Sequence, residues 1–308
     1  MRKRDALEQL PIDDRDWSSL AFSDQLYHLE VEGFLLIPDM LSAEHVAQLK
    51  AETARFETSP MDYSVHQRDR RLHPGPNPYP GSAWEPYRFG DQGGAITELI
   101  AYAPTVQFLE RVFGDDVVFM TYEYARSEPG HPGISLHTDG QPYGSSTFGY
   151  ECSCPVMIKV LYYLDDLAPD VSPFSVLPRS HLSLHADGNP YTRYETHPDL
   201  VMVTATAGSA LLLHPRVFHG TYPNVGSRSR EMVQIGYRPA WAGPVKEEVP
   251  EWEPHDHAKL SASVKPLFSD RNIRKASFEQ ENKPADMTRT APGISPHRWN
   301  RDQGSTDQ

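Results

Sequence analysis

Two residues able to bind a metal, His137 and Asp139, stand on either side of Thr138. In an extended strand, residues i and i+2 point to the same side, so this imidazole and this carboxylate can share one ion. Such a pair, joined by one distant histidine, is a donor set that binds Fe(II) and leaves the opposite coordination positions open. The pattern therefore predicts a metal site whose third ligand lies further along the chain.

A second His-x-Asp triplet, His185 to Asp187, competes with the first, and with 14 histidines in the chain such triplets arise by chance. The segment 117–126, before His137, is rich in β-branched and aromatic residues, which favour a strand. His185 instead follows a proline-punctuated segment and leads into Gly-Asn-Pro, which is typical of a turn. We therefore assign His137 and Asp139 to the metal site and interpret His185 and Asp187 as loop residues.

The third ligand is sought in a leucine-rich segment that offers two histidines, His214 and His219. His214 precedes a proline and is expected to close a strand at a turn. His219 lies in a new apolar segment before a glycine, which lets the backbone approach a bound species. More chain separates His219 from His137 than from His185, which leaves room to cross a barrel several times. We predict that His219 is the ligand and that His214 is structural or supports the ligands.

The open coordination positions of such a metal can take a cosubstrate as well as O2. A cosubstrate with two negative charges would need a buried cation nearby. Arg230 follows His219 at the start of the next predicted strand, and a guanidinium suits bidentate carboxylate binding. Arg228, two residues away on the same face, is the competitor, and a solvated turn position is the alternative for either arginine. Lys159, in the middle of an apolar strand, could also meet a carboxylate, but we interpret it as snorkelling to a barrel mouth.

The composition limits the class of protein. The 308 residues are 38% hydrophobic and 23% charged, which predicts a folded chain with a sizeable core. A net charge of -13 argues against a phosphate backbone or an anionic membrane as partner. The basic start, Met1 to Arg4, precedes no apolar segment of signal or membrane-span length, so we expect a cytoplasmic protein. Two cysteines, Cys152 and Cys154, are interpreted as reduced thiols.

Helices are predicted before strands along the chain, an order that favours a mostly β sandwich or jelly-roll barrel with flanking helices. Gly33 is expected to end the first helix, Ser42 to cap the second, and Pro104 to divide the third. The predicted helices are 23–32, 43–56, 95–113 and 258–268. The predicted strands are 34–38, 117–126, 156–164, 174–177, 201–206, 210–214 and 232–237.

We predict a single catalytic domain over residues 1–270. It includes a lid loop over 61–94, because irregular segments of this length in compact domains often cover sites. Residues 141–150 are expected to complete the substrate cover. Residues 271–308 are predicted to be a poorly ordered C-terminal extension, because few apolar residues remain there.

The sequence resembles the phytanoyl-CoA dioxygenase-like family of iron(II)/2-oxoglutarate-dependent dioxygenases over about residues 30 to 240. Arg179 replaces a glycine usual in the family, and is expected to bend its turn differently. The motifs that carry the resemblance are Glu32 to Pro38 with the Ser42 helix, Pro129-Gly130 before Leu136 to Asp139, Leu164 to Asp166, Val176 to His181, and Phe218 to Thr221 with Pro223-Asn224 and Arg230.

The resemblance implies a double-stranded β-helix fold in which His137, Asp139 and His219 hold Fe(II). It further implies that Arg230, assisted by Thr221, binds the distal carboxylate of 2-oxoglutarate, and that O2 is consumed with release of succinate and CO2. Halogenating relatives have a small residue in place of the metal carboxylate, so the presence of Asp139 implies hydroxylation or a related oxidation.

Two other functions remain open from the sequence. A cupin-type metalloenzyme without 2-oxoglutarate would share the barrel and the histidines but would not require Arg230. A noncatalytic binding protein on the same fold would need neither. We expect a small or medium-sized substrate. The aromatic residues and the four arginines of 61–94 would suit a partly apolar substrate that bears an acidic group. The arginines are Arg68, Arg70, Arg71 and Arg88.

Overall fold

The computed structural model describes residues 11–54, 85–86, 94–131, 133–139, 155–182, 198–242 and 258–268. Helices occupy the first part of the described chain and strands dominate from residue 117 onward. The α-helices are α1 (Phe22–Tyr27), α2 (Ala43–Thr53), α3 (Ala95–Glu98) and α4 (Ala103–Phe113). The strands are β1 (Phe34–Ile37), β2 (Glu85–Pro86), β3 (Val117–Ser127), β4 (Ile134–His137), β5 (Ile158–Tyr163), β6 (Phe174–Leu177), β7 (Val201–Val203), β8 (Ala210–Leu213), β9 (Phe218–Thr221) and β10 (Arg230–Pro239).

The strands form two antiparallel sheets. The larger has the order β1-β8-β5-β10-β3-β2, and the smaller has the order β4-β9-β6-β7. Side chains of both sheets, such as Leu211 from the larger and Val176 from the smaller, belong to one buried apolar cluster. The chain thus has the predicted jelly-roll architecture of a double-stranded β-helix, with the space between the sheets as its interior.

The register of the larger sheet determines which side chains face that interior. Tyr163 pairs with Met232 and Lys159 with Gly236, so alternate residues of β5 and β10 share a face. The opposite face packs against the helices, where the Tyr162 hydroxyl lies 2.6 Å from the Thr105 hydroxyl of α4. Polar residues on the inner face are therefore available to a site between the sheets.

The predicted helix starts and ends are close to those observed. The Ser42 hydroxyl accepts a hydrogen bond from the backbone N–H of His45 and caps α2. Gly33 ends the first helical segment with φ 83°, although the last turn of that segment, His28–Glu32, is a π-helix. The third helix is divided at Tyr102 rather than at Pro104, because a proline is tolerated in the first turn of the helix that follows.

The predicted helix at 258–268 is wrong as a continuous α-helix. Only a short helical turn at 258–259 and the 3-10 helix Lys265–Phe268 are present, and Pro266 in that segment lacks the N–H that an α-helix needs. The apolar residues expected to dock there are nevertheless buried. They are Leu260, Val264, Leu267 and Phe268.

The expectation that Arg179 bends its turn differently from the family's glycine stays a prediction, and the structure gives the backbone conformation at this position. Arg179 has φ 65°, the left-handed conformation that a glycine adopts easily. Its guanidinium donates hydrogen bonds of 2.9 and 3.1 Å to Oε1 of the buried Glu32. Its backbone N–H donates a further 3.1 Å hydrogen bond to the Glu32 carbonyl, so side-chain and backbone contacts to one residue accompany the left-handed conformation.

A stability test follows from two glycines with positive φ. A Cβ at Gly33 would lie 2.7 Å from Nδ1 of His181 and 2.8 Å from a Val217 methyl, whereas a Cβ at Gly114 would meet nothing within 4 Å. We expect Gly33→Ala to lower the free energy of unfolding by about 3 kcal/mol, from backbone strain plus overpacking. Gly114→Ala, the matched control, should cost about 1 kcal/mol. Urea unfolding measures both, and equal losses would contradict this packing.

Several predicted segments lie outside the described residues. They are most of the lid 61–94, the cover 141–150, the His185 to Asp187 triplet, both cysteines and the extension 271–308. Residues 85 and 86 of the lid are described and pair with β3 as a short strand. In the described part of the chain, no helix is both long enough and apolar enough to cross a bilayer.

Candidate metal centre

His137 and His219 lie side by side on neighbouring strands of the smaller sheet. His137 at the end of β4 pairs directly with His219 in β9, and their ring centroids are 4.4 Å apart. Directly opposed residues of an antiparallel pair have their Cβ atoms about 5 Å apart, which suits two ligands of one ion. The strand pairing therefore places two imidazoles together although 81 residues lie between them in the sequence.

Asp139 completes the group just beyond the end of β4. Its backbone N–H donates a 2.7 Å hydrogen bond to the carbonyl of Pro215, which fixes the residue beside the β8–β9 connection. Its Oδ2 lies 3.4 Å from Nε2 of His219, and its Oδ1 lies 3.8 Å from Nε2 of His137. One ligand atom from each of the three residues falls within 4.8 Å of the others, close enough to hold one metal ion.

His219 is held in the protonation state that a metal ligand requires. Its Nδ1 lies 2.9 Å from the Val217 carbonyl, which assigns the ring proton to Nδ1 and leaves the lone pair of Nε2 facing Asp139. Burial, together with the nearby His137, lowers the pKa of His219 to about 3. The Phe174 ring stacks against the imidazole at 5.8 Å and fixes its plane. A neutral, oriented imidazole needs little rearrangement to bind a metal.

The two carboxylate oxygens of Asp139 have different surroundings. Oδ1 accepts a 2.9 Å charged hydrogen bond from Nζ of Lys159. Oδ2 is buried and has no hydrogen-bond partner in the described chain, a state that is costly for a carboxylate oxygen unless a cation binds there. Although burial raises the pKa of Asp139, the Lys159 ammonium and the two histidines hold it well below its usual range. The site thus contains an ionised ligand with one oxygen open.

The position of Lys159 corrects our interpretation of a snorkelling lysine. The residue is only 5% exposed, and its ammonium points into the barrel toward Asp139 instead of out to solvent. The cause is the register of β5, which places Lys159 on the inner face next to Gly236, where no side chain blocks its path.

Arg230 provides a second buried charge on the inner face. It begins β10 and is 3% exposed, and its Nε and Nη1 are buried without a hydrogen-bond partner in the described residues. The Tyr163 ring lies 5.7 Å from the guanidinium carbon, and the Tyr163 hydroxyl is likewise buried and unpartnered. Burial raises the pKa of Tyr163 to about 12, so this hydroxyl keeps its proton. Two adjacent donor groups without acceptors fit a carboxylate.

Hydrogen bonds on both sides of Arg230 fix the start of β10. Nδ2 of the buried Asn224 donates to the carbonyls of Ser127 and Arg228. Oδ2 of Asp165 accepts a 2.9 Å hydrogen bond from the backbone N–H of Glu231. These contacts give physical roles to the Asn224 and Asp165 positions of the sequence motifs.

The remaining predicted residues occupy distinct positions. Thr221 is buried beside His219 on the inner face, and its hydroxyl accepts a 3.0 Å hydrogen bond from the Ile134 N–H. Arg228 is exposed, whereas Arg230 is buried. His214 is buried outside the group of three, packs 4.6 Å from the His181 ring, and accepts a hydrogen bond from the Arg216 N–H. A structural role fits His214.

Sequence reasoning assigned no role at the site to Tyr163, and none to Lys159 beyond a possible carboxylate contact. The signal that could have found both is the period-two alternation of Lys159, Leu161 and Tyr163, taken together with the antiparallel pairing to the Arg230 strand. The pairing itself cannot be read from local sequence.

A family model described as "Phytanoyl-CoA dioxygenase (PhyH)" matches residues 29–232. That range contains both histidines, Asp139, Lys159 and Arg230. No curated protein sequence matches the chain.

Solved structures share the fold at low sequence identity. HygX from Streptomyces hygroscopicus, with nickel, 2-oxoglutarate and hygromycin B bound, has a TM-score of 0.56 and 20% identity, and the match covers 73% of this chain and 90% of HygX. The α-ketoglutarate-dependent epimerase SnoN from nogalamycin biosynthesis has a TM-score of 0.55 and 17% identity, and the match covers 76% of this chain and 94% of SnoN. AviO1 from Streptomyces viridochromogenes has a TM-score of 0.55 and 18% identity, and the match covers 74% of this chain and 100% of AviO1.

Proposed function

The chain belongs to the phytanoyl-CoA dioxygenase family, and we propose that it is an Fe(II)/2-oxoglutarate-dependent oxygenase. It oxidises a small or medium-sized organic substrate, by hydroxylation or a related reaction, with release of succinate and CO2. The observation that carries the proposal is that one barrel contains both an open metal-ligand oxygen and an open cation. Oδ2 of Asp139, next to the two histidines, has no hydrogen-bond partner in the described chain, and neither do Nε and Nη1 of Arg230.

The donor set fits Fe(II). Two imidazoles and one carboxylate are a donor set that suits Fe(II) and would leave other positions of the ion open to a cosubstrate. His137, Asp139 and His219 would hold the iron, which supplies the redox chemistry of O2 activation when 2-oxoglutarate is bound. Arg230 would bind the distal carboxylate of 2-oxoglutarate, with the Thr221 and Tyr163 hydroxyls available as further donors.

The chain's own residues prepare the site before any ligand arrives. Val217 and Phe174 orient His219, and Lys159 holds Oδ1 of Asp139 so that Oδ2 is the oxygen left open. Apolar side chains on the interior faces of the two sheets, such as Leu161 and Val176, are buried, while the His137 side chain is 37% exposed, so the site is open on the side of His137. Preorganisation of this kind reduces the rearrangement needed to bind the metal and its cosubstrate.

Similar structures with bound ligands suggest the class of substrate. HygX was solved with hygromycin B, and SnoN was solved with nogalamycin RO, so the shared fold accepts small molecules in those proteins. We propose that residues 61–94 and 141–150 cover a substrate of comparable class here. Screening candidate metabolites by substrate-dependent succinate release identifies it.

Oxygen uptake distinguishes this function from its alternatives. We expect uptake that requires both Fe(II) and 2-oxoglutarate, with one succinate formed per 2-oxoglutarate consumed. Uptake that proceeds with metal alone would indicate a cupin-type enzyme without a cosubstrate. A protein that binds neither Fe(II) nor 2-oxoglutarate would be a noncatalytic member of the fold.

A further inference from the structure

In the proposed function, Asp139 binds the metal and Arg230 binds the cosubstrate. Lys159 is the remaining charged group among the described residues of the site, and it has no role there yet. Its Nζ lies 2.9 Å from Oδ1 of Asp139, and the two side chains are 7% and 13% exposed. A lysine is almost never buried to this degree without a specific ionic partner. Here the partner is a residue that the metal also needs.

The arrangement divides the two oxygens of Asp139 between two cations. Oδ1 is taken by Lys159, and Oδ2, 3.4 Å from Nε2 of His219, is buried and open. A metal can therefore bind Oδ2 while Lys159 remains close by. The Lys159 ammonium and the metal would then share one carboxylate, each on a different oxygen.

The charges of the site determine what can bind there. Metal-binding histidines are neutral, so Asp139 and Lys159 together sum to zero before metal binds. A divalent ion raises the local charge to +2 in a buried environment, where like charges repel strongly. The two carboxylates of 2-oxoglutarate return the local sum to zero. Arg230, on the same inner face, adds to the demand for an anion.

We propose that Lys159 couples the two ligands: it weakens metal binding while 2-oxoglutarate is absent, and it attracts the metal-proximal carboxylate of 2-oxoglutarate once the metal is bound. The inference rests on the proposed function and identifies Lys159 as a positioning residue. By linkage, each ligand must increase the affinity for the other by the same factor. The protein then holds iron tightly only together with its cosubstrate.

Replacing Lys159 by methionine, which removes the charge and keeps most of the length, separates this coupling from a merely structural role. Mn(II), which is stable in air, is titrated by calorimetry with and without saturating 2-oxoglutarate. In the wild type we expect 2-oxoglutarate to tighten Mn(II) binding by about tenfold or more. In Lys159→Met, Mn(II) alone should bind about tenfold more tightly than in the wild type. The effect of 2-oxoglutarate should then be about tenfold smaller than in the wild type, and the part that comes from direct binding of 2-oxoglutarate to the metal should remain.

Three further variants control the experiment. Lys259→Met removes an exposed lysine outside the site, and it should leave the coupling unchanged. Lys159→Arg keeps the charge and should retain the coupling, while Lys159→Gln should reproduce the methionine variant if that one folds poorly.

The results separate failure of the inference from failure of the proposed function. Weaker Mn(II) binding in both Lys159→Met and Lys159→Gln, or an undiminished effect of 2-oxoglutarate in them, overturns the coupling while the oxygenase assignment stands. A wild-type protein that binds Mn(II) with no effect of 2-oxoglutarate also overturns the coupling. A wild-type protein that binds neither ligand overturns the oxygenase assignment itself.

Discussion

Asp139→Ala is expected to abolish Fe(II) binding and turnover. The substitution removes the only carboxylate of the three-residue group and leaves Lys159 as an uncompensated buried cation beside the histidines. Loss of groups that merely support a metal ligand costs about 10–100-fold in affinity, so loss of the ligand itself should cost more than about 100-fold. Anaerobic Fe(II) titration followed by desalting and iron analysis measures the effect. His137→Ala and His219→Ala should behave alike.

The second His-x-Asp triplet provides a matched control. His185→Ala and Asp187→Ala change the same residue types in a similar sequence context and should leave iron content and turnover nearly intact. If the His185 variant lost iron while the His137 variant kept it, the assignment of the metal site would be wrong.

Arg230→Ala is expected to raise the 2-oxoglutarate concentration needed for half-maximal turnover by about one to two orders of magnitude. A bidentate charged hydrogen bond contributes about 1.5–3 kcal/mol, which corresponds to that range of affinity. Arg230 is buried with unpartnered nitrogens, whereas Arg228 is exposed. Arg228→Ala should therefore change the requirement less than about twofold. Initial rates over a range of 2-oxoglutarate concentrations give both values.

Arg230→Lys is a control for the possibility that Arg230→Ala fails to fold. It retains a positive charge but not the planar pair of donors, so its 2-oxoglutarate requirement should lie between those of the wild type and Arg230→Ala. Equal effects of the Arg228 and Arg230 substitutions would show that burial does not identify the cosubstrate arginine.

Local features of the sequence were predictable because they have local causes. The strand at Phe174–Leu177 follows from an apolar segment between turn residues, and the Ser42 cap follows from a hydroxyl before an amphipathic helix. The choice between Arg228 and Arg230 rested on position along one predicted strand. Such inferences need only the chain near the residue concerned.

Other features could not be predicted because distant contacts determine them. Lys159 looks like a surface lysine in its strand until the register shows Gly236 beside it and Asp139 opposite. Arg179 has a positive φ, and both its guanidinium and its backbone N–H contact Glu32, which is far away in sequence. The helix predicted at 258–268 had a suitable apolar spacing, but Pro266 interrupts it.

The most direct test of the central claim is anaerobic addition of 2-oxoglutarate to the Fe(II)-loaded protein. A 2-oxo acid that chelates Fe(II) through its carboxylate and keto oxygens produces a visible charge-transfer absorption, which neither component gives alone. We predict that this absorption appears in the wild type and saturates at one 2-oxoglutarate per iron. It should be absent in Asp139→Ala and need much more 2-oxoglutarate in Arg230→Ala. A wild-type protein that binds Fe(II) but shows no such absorption at saturating 2-oxoglutarate would contradict the assignment.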